Sequence, residues 1–261
     1  MEIRQISDRK KLANYFRQDL PTHAYSLGDL DDFYWPRTTY YGEDREQEIS
    51  RVALLYRGEG LPILLALGSE GFFHDDYYRS LIPLLPNSFY AHFSPGLEDL
   101  FSQDYEINDH GDHYKMSLVE PGALGSSSLE SPYRLNAISL SELQNLYRLS
   151  YPENAFDPQM LSTGKYFGCL SGGELVSVAG VHVYSSHYRV AALGNITTHP
   201  DHRNQGYARF ATNSLCHDLL EEVDYIGLNV KADNLPAILL YQSLGFKISR
   251  KYGEFSLKKL F

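Results

Sequence analysis

Cysteine is nearly absent: the 261 residues hold two, Cys169 and Cys216, far apart and without metal-ligand spacing. That excludes a disulfide framework and a cysteine-built zinc site, and it makes a reducing compartment, the cytoplasm, the expectation. Basic charge is scarce as well. Lys and Arg number 23 against 33 Asp and Glu, a formal net charge of −10. Nonspecific nucleic-acid binding needs basic side chains to neutralise phosphates and is not expected here. An anionic ligand must therefore be held by local donors, whereas a cationic amine is attracted at long range. No apolar run approaches the roughly 18 residues of a membrane span, and the first eleven residues lack an apolar signal core, so neither membrane insertion nor secretion is expected. Aromatic residues, by contrast, are abundant, with 21 Tyr and 13 Phe in a chain that is 43% hydrophobic. This composition belongs to a folded, aromatic-rich core and not to a disordered chain.

The most informative stretch is residues 196–208, Ile-Thr-Thr-His-Pro-Asp-His-Arg-Asn-Gln-Gly-Tyr-Ala. Residues 188–198 before it are apolar and β-branched, as in a strand; after it Ala208, Ala211, Leu215, Leu219 and Val223 recur at helical spacing. The turn between them opens a helix N-terminus, where about four unpaired N–H groups and roughly half a positive charge make an anion site. Gly206 and Ala208 keep bulk away from such an anion. If the turn needs positive φ at Asn204, asparagine is the non-glycine residue that tolerates it best.

Two motifs carry a family resemblance. Arg203-Asn204-Gln205-Gly206-Tyr207-Ala208 fits the pattern Arg/Gln-x-x-Gly-x-Gly/Ala, with Pro200 three residues before the Arg. A short strand over residues 225–230 is followed by Asn234-Leu-Pro-Ala-Ile-Leu-Leu-Tyr241-Gln-Ser-Leu-Gly245-Phe246, which fits Asn-x-x-Ala-x-x-Leu-Tyr-x-x-x-Gly-Phe. Asn234 is also a natural N-cap, and Gly245 a natural C-cap, of one short helix. Together the motifs resemble the GNAT superfamily of acyl-CoA-dependent N-acyltransferases, over the second half of the chain. The resemblance implies an α/β fold of the α+β type: a mixed, mostly antiparallel sheet flanked by helices, with the strands at 188–198 and 225–230 splaying apart to admit pantetheine.

The first half reads as a short strand at residues 2–6, a helix from 8 to about 20, a long acidic loop to 48, and a hairpin of 51–56 with 61–67. A helix near 77–85, strands at 88–93 and 113–119, and a helix at 96–103 follow. The loop holds Tyr34, Trp35, Tyr40 and Tyr41, and its length suggests a lid over the acceptor site. The Pro-Gly-Ser cluster of residues 120–128 is the most linker-like composition, so domains are expected at 1–125 and 131–261. Arg4-Gln-Ile6-Ser leading to Tyr15 echoes Arg134-Leu-Asn-Ala-Ile138-Ser leading to Tyr147, a faint internal repeat. With the similar element order it suggests two GNAT-like halves in tandem, the first degenerate, loosely similar to glycine N-acyltransferase-like proteins. Residues 165–170 and 174–184 form a hairpin, and 247–260, with a turn at Tyr252-Gly253-Glu254, form the last strand pair.

The resemblance implies acetyl transfer from acetyl-CoA, a co-substrate used without a metal, to a primary amine of a small molecule or peptide, by a monomer or homodimer. An acyl-CoA sensor or pseudoenzyme is the alternative. The backbone of Arg203, Asn204, Gln205, Gly206, Tyr207 and Ala208 would cradle the pyrophosphate, and the edge at Ile196, Thr197 and Thr198 would pair with the pantetheine amides, with Asn234 a further cofactor contact. Thr198 stands where the family usually has an aliphatic residue. The Arg203 side chain reads equally as a phosphate contact or a solvated turn residue. The resemblance marks Tyr241 as the general acid; a phenol with a pKa near 10 stays protonated at neutral pH. Glu153, Asp157 and His182 are candidates for taking the amine's proton, beside ordinary core or surface roles. His199-Pro-Asp-His202 and His110-Gly-Asp-His113 lie in turn-like sequence without helical i, i+4 ligand spacing, so no metal is expected.

Overall fold

The computed structural model describes residues 3–45, 48–58, 60–68, 75–125 and 133–260. Among these, the strands are β1 (Arg4–Gln5), β2 (Thr38–Arg45), β3 (Glu48–Tyr56), β4 (Ile63–Ala66), β5 (Ser88–Phe93) and β6 (Tyr105–Leu118), then β7 (Tyr133–Arg134), β8 (Phe167–Ser171), β9 (Glu174–Ser185), β10 (Val190–Thr198), β11 (Tyr225–Lys231) and β12 (Phe246–Lys259). The helices are α1 (Arg9–Phe16), α2 (Leu20–Gly28), α3 (Asp75–Leu81), α4 (Glu98–Phe101), α5 (Leu140–Ser150), α6 (Tyr207–Leu220) and α7 (Leu235–Ser243). No helix among the described residues is long and apolar enough to cross a membrane.

By contacts the chain forms two compact units. One comprises Met1–Lys115, Val230–Asn234 and Ile248–Phe261; the other comprises Met116–Asn229 and Leu235–Lys247. The C-terminal segment groups with the first unit because Gly253–Lys258 of β12 pair antiparallel with Phe93–Ser88 of β5. The sheet of each half repeats one pairing order. In the first, β1–β2, β2–β3 and β3–β4 are antiparallel and β4–β5 is parallel. In the second, β7–β8, β8–β9 and β9–β10 are antiparallel and β10–β11 is parallel. Helices occupy matching places, α1–α2 and α5 after the first strand, α3 and α6 before the parallel strand, α4 and α7 after it. Two halves built alike are therefore a property of the element order. The residue echo is weaker: Arg4 and Arg134 both lie in first strands, but Ile6 is buried while Ile138 is 88% exposed.

Local chemistry sets the ends of the elements. Asp8 caps α1 by accepting the Lys11 N–H at 3.0 Å, and Leu12, Ala13 and Phe16 face the core. The expected single helix to residue 20 stops at Phe16. Asp19 accepts from the backbone and hydroxyl of Thr22 and so starts a new helix, with Pro21 in its first turn.

The expected long loop up to residue 48 is in part β2, which pairs with β3 from Thr38 to Arg45. Tyr34 and Tyr40 are buried core, Trp35 stacks on Tyr40 under the Arg9 guanidinium, and Tyr41 packs partly buried against the core cluster, so these aromatics pack within the first unit and not in a long loop. The expected turn at Tyr252-Gly253-Glu254 is also absent. β12 runs unbroken through it because Gly253 and Glu254 are in register with Phe93 and His92.

The core of the first unit gathers Leu55, Leu64, Phe89, Phe93, Phe101 and Phe255. Phe93 stacks on Phe101 at 4.8 Å, and Phe89 meets Tyr105 edge-on at 5.2 Å. On the opposite side of β5 and β12, Glu254 accepts from Tyr90 at 2.5 Å and Tyr252 at 2.7 Å and faces His92 and His113 at 3.4 and 3.5 Å. Burial alone would raise this carboxyl. The imidazoles and the phenol donors outweigh it and hold the pKa down to about 2.

Since the folded pKa lies below the ordinary value of 4.5, the carboxylate contributes stability above that value and loses it as pH falls towards 2. The shift corresponds to about 3 kcal/mol. Denaturant midpoints measured against pH should fall steeply between pH 5 and 2 in the native chain and less steeply in Glu254→Gln. Superimposable acid limbs would show that another group governs them.

Candidate functional site

β10 and β11 pair in parallel from Val190↔Tyr225 to Leu193↔Leu228, and the pairing ends there. β10 continues to Thr198, held on its other side by β9 alone. The change coincides with a bulge. Gly194 pairs with Gly180 and Thr197 with Val178, so one extra residue is inserted in β10, and Asn195 adopts a left-handed φ of 54°.

Buried polar contacts fix that bulge. The Tyr147 hydroxyl of α5 donates to the Asn195 carbonyl at 2.8 Å, and Asn195 Nδ2 donates to the Tyr166 hydroxyl at 3.0 Å, which donates to the Val181 carbonyl at 2.9 Å. The Tyr166 ring lies where a Cβ on Gly180 would sit and the His182 ring where one on Gly194 would, so both glycines permit close ring contact. Ile196, Thr197 and Thr198 follow the bulge. Thr197 Oγ1 reaches Ser150 Oγ at 3.1 Å, and Thr198 Oγ1 reaches Ser177 Oγ at 2.8 Å. The departure from an aliphatic residue at Thr198 is thus absorbed by a partner on β9.

From Thr198 the chain passes through a short 3₁₀ turn at Pro200–His202 into an exposed loop. Asn204 is left-handed at φ 61° and Gly206 at φ 86°. These reversals let the chain enter α6, whose first intrahelical bond runs from the Phe210 N–H to the Gly206 carbonyl at 3.0 Å. Gly206 caps the helix without a side chain, and the space where its Cβ would stand is open. The N–H groups at the start of α6 have no intrahelical acceptor and carry the positive end of the helix dipole. Arg203 Nε donates to the Thr198 carbonyl at 3.4 Å, and Gln205 Nε2 to the Asp201 carbonyl at 3.3 Å. Both side chains are therefore engaged in holding the turn. His199 accepts the Asp201 N–H at 3.3 Å, while His202 meets the rings of His199 and Tyr207, so this His pair is part of the turn. His110 and His113 instead lie in β6, His110 against Ser256 and His113 on Glu254, and not in a turn of their own.

Tyr241 lies on α7 and is buried, its ring against Phe246 at 6.0 Å. Burial pushes its phenol well above the ordinary range, with smaller effects from Tyr151 and Cys216. Among the described residues its hydroxyl makes no hydrogen bond. The first turn of α6 is tied to the last turn of α7 by Arg209, whose Nη1 donates to Ser243 Oγ at 2.5 Å and to the Ser243 carbonyl at 3.3 Å. A cation at a helix C-terminus also complements its dipole. Arg209 carries no motif signal and was not identifiable from spacing. Asn195 was more accessible to sequence reasoning, since a Gly-Asn pair inside a strand marks a bulge.

The candidates for the amine's proton are dispersed. His182 lies at the bulge, Glu153 is exposed, and Asp157 accepts the Gln159 N–H at 2.8 Å at the start of a 3₁₀ turn. Asn234 immediately precedes α7 and groups with the first unit, its N–H donating to the Lys231 carbonyl at 3.0 Å. Neither cysteine offers a ready nucleophile, as burial raises Cys169 to about 11 and Cys216 further. Among the described residues no three His, Cys, Asp or Glu side chains are grouped as metal ligands.

The first half differs at the corresponding place. Every residue of β4, from Ile63 to Ala66, pairs with β5, and the contact continues beyond the strand. The Ser94 N–H donates to the Ala66 carbonyl at 3.3 Å, and Ser94 Oγ accepts the Gly68 N–H at 3.0 Å and donates to the Gly68 carbonyl. Among the described residues these two strands show no opening like that beside Ile196. The chain after residue 68 in this half, to residue 74, lies outside the described residues.

Residues 133–246 match the model of the acetyltransferase (GNAT) family. No curated protein matches the sequence. Among solved structures, a Drosophila protein superposes with a TM-score of 0.73 at 13% identity over 98% of each chain. A tandem GNAT protein from the clavulanic acid biosynthesis pathway gives 0.58 at 13% identity, again over 98% of each chain. A GNAT acetyltransferase from Colwellia psychrerythraea gives 0.58 at 13% identity over 99% of this chain and 100% of its own. At these identities the likeness is one of fold, and it extends over both halves.

Two outcomes are expected from this geometry. Gly206→Glu should abolish measurable acetyl-CoA binding by calorimetry in a chain that remains folded, because it places a bulky anion over the helix terminus. Gly206→Ala controls for the strain of a side chain at positive φ, which costs about 1–2 kcal/mol, and should bind more nearly as the native chain does. Equal affinity in the Glu variant and the native chain would remove the loop from donor binding. In the native chain, titration should give one CoA per chain; two would mean that the first half binds as well.

Proposed function

We propose that the chain, whose residues 133–246 match the model of the acetyltransferase (GNAT) family, transfers an acetyl group from acetyl-CoA to a primary amine. The observation that carries this reading is the opening of β10 from β11 directly before the left-handed loop into α6. An unpaired strand edge offers N–H and C=O groups to the pantetheine amides as an added strand would, while the helix terminus takes the pyrophosphate. The donor site is accordingly assigned to Ile196, Thr197, Thr198 and the backbone from Arg203 to Ala208, with Asn234 as a further contact, and the catalytic domain to residues 131–261. Residues 1–125 form the degenerate half without a donor site.

In the transfer, the neutral amine nitrogen attacks the thioester carbonyl carbon. The C–N bond forms and the C–S bond breaks, the departing thiolate takes a proton from the Tyr241 hydroxyl, and the proton given up by the amine is returned through solvent to the Tyr241 phenolate. A protonated amine must first lose a proton, and His182 at the bulge is the candidate best placed to assist.

Tyr241→Phe keeps the ring and its packing and removes the proton. Turnover should fall by about 10²–10⁴-fold, the range for a general acid, with acetyl-CoA affinity and melting temperature nearly unchanged. Because the hydroxyl has no partner among the described residues, its loss strands no buried acceptor there. A Phe variant with native turnover would end the catalytic assignment, whereas a native chain that binds acetyl-CoA but acetylates no amine would favour an acyl-CoA sensor.

A further inference from the structure

A phenol that has protonated a thiolate must recover a proton before the next turnover. Tyr241 is 7% exposed, so water has little direct access to it. A buried phenolate is costly, and a neighbouring donor that also meets water removes that cost.

Tyr151 has such a position. It closes α5, its N–H donating to the Tyr147 carbonyl at 2.8 Å, and a spacing of four residues brings the two side chains to one face of the helix. On that face the Tyr147 hydroxyl bonds the Asn195 carbonyl at the bulge. One residue before Tyr151, Ser150 Oγ meets Thr197 Oγ1 on the open edge at 3.1 Å. The end of α5 is thereby tied to β10 at two levels, and Tyr151 stands at the second of them. Asn154 fixes its backbone, donating from its N–H and Nδ2 to the Tyr151 carbonyl at 3.2 and 2.7 Å. Arg148, Pro152 and Asn154, which flank it in sequence, line a groove of about 290 Å³.

Tyr151 is also 40% exposed, whereas Tyr147 and Tyr241 are buried. Charge on it reaches both of them, raising Tyr147 and Tyr241 alike. Cys216 has a similar but smaller influence on Tyr241, and it is fully buried and offers no path to water.

We propose that Tyr151 is the relay through which Tyr241 is reprotonated. This rests on the acetyl transfer and the Tyr241 role proposed above. Tyr241 gives its hydroxyl proton to the thiolate, the Tyr151 hydroxyl gives its proton to the Tyr241 phenolate, and Tyr151 takes one from water, which receives the proton lost by the amine. Protons balance over the cycle. Burial raises Tyr241, so its phenolate is a strong base that draws a proton from a more exposed phenol. Tyr151 acts through Tyr241 and is a positioning residue.

The test uses the full chain, acetyl-CoA and the fastest acceptor among benzylamine, phenethylamine, glycine and lysine, with thiol release as the readout. Tyr151→Phe keeps the ring and removes the proton. Its kcat should fall about tenfold or more, with KM for acetyl-CoA held within about twofold. Tyr151→Ala should be equally slow and should recover, saturably, with added imidazole. Pyrazole, of the same size but not a proton carrier at neutral pH, should not restore it, and imidazole should not restore Tyr241→Phe. Recovery with imidazole and pyrazole alike, or with neither, overturns the relay. Should Tyr151→Ala fail to fold, the solvent deuterium isotope effect on kcat decides: a larger effect in Tyr151→Phe than in the native chain supports the relay, and an unchanged one overturns it. An active native chain with an unimpaired Tyr151→Phe variant removes the relay alone, whereas a native chain that consumes no acetyl-CoA with any acceptor removes the transfer reading and the relay with it.

Discussion

The site depends on the requirement that a strand edge, once separated from its neighbour, be held open by something other than its neighbour. Backbone groups on β10 after Leu193 would be best satisfied by continuing the parallel ladder with β11, and the ladder stops. The stop is enforced by Asn195, left-handed at φ 54°, a conformation that costs a non-glycine residue about 1–2 kcal/mol. Tyr147 and Tyr166 offset that cost with buried hydrogen bonds to the Asn195 backbone and side chain, each worth about 1 kcal/mol net. Tyr147 in turn is fixed by the helical spacing of Leu143, Leu146 and Tyr147 on the buried face of α5. The opening therefore belongs to the packing of α5 against its sheet.

Comparison of the two halves isolates that constraint. Both have the same order of helices and the same sequence of antiparallel and parallel pairings, so topology alone does not make a donor site. In the first half, β4 is four residues long, pairs along its whole length, and is followed by Gly68, whose two backbone groups bond the Ser94 hydroxyl after β5. In the second, β10 is nine residues long and outlasts its pairing. The excess length and the bulge are what distinguish the second half from the first at this place.

Much of this was legible in the sequence where a residue type answers a backbone demand. Asn204 and Gly206 stand at positive φ, Gly245 is left-handed at φ 92° after α7, and a Cβ there would collide with the Glu120 carbonyl. Those positions tolerate few residues, so motif and geometry coincide. β2 was not legible because Thr-Thr-Tyr-Tyr-Gly-Glu-Asp-Arg mixes polar and aromatic residues; Tyr40 is buried while much of the strand is polar. Gly253 misled for the opposite reason. A glycine beside two polar residues resembles a turn, yet Glu254 is partnered by two tyrosines and two histidines and stays in the ladder. Long-range partners of this kind leave no local trace, and the Arg209–Ser243 tie between α6 and α7 is another instance.

The proposed role of Tyr241 has to meet an energetic objection. A free thiol titrates near 8.5 and a free phenol near 10, so handing the phenol proton to a thiolate is already uphill by about 2 kcal/mol in water. Burial raises Tyr241 further, which by itself would make the transfer worse. Burial does not act on the phenol alone, however. A thiolate released into the same dry surroundings is destabilised by the same loss of hydration, as the raised thiols of Cys169 and Cys216 illustrate for this unit. The relevant quantity is the difference between the two groups, and desolvation moves both in the same direction. In the proposed role, a buried phenol without a competing acceptor among the described residues would be matched to a thiolate that leaves into the same dry surroundings.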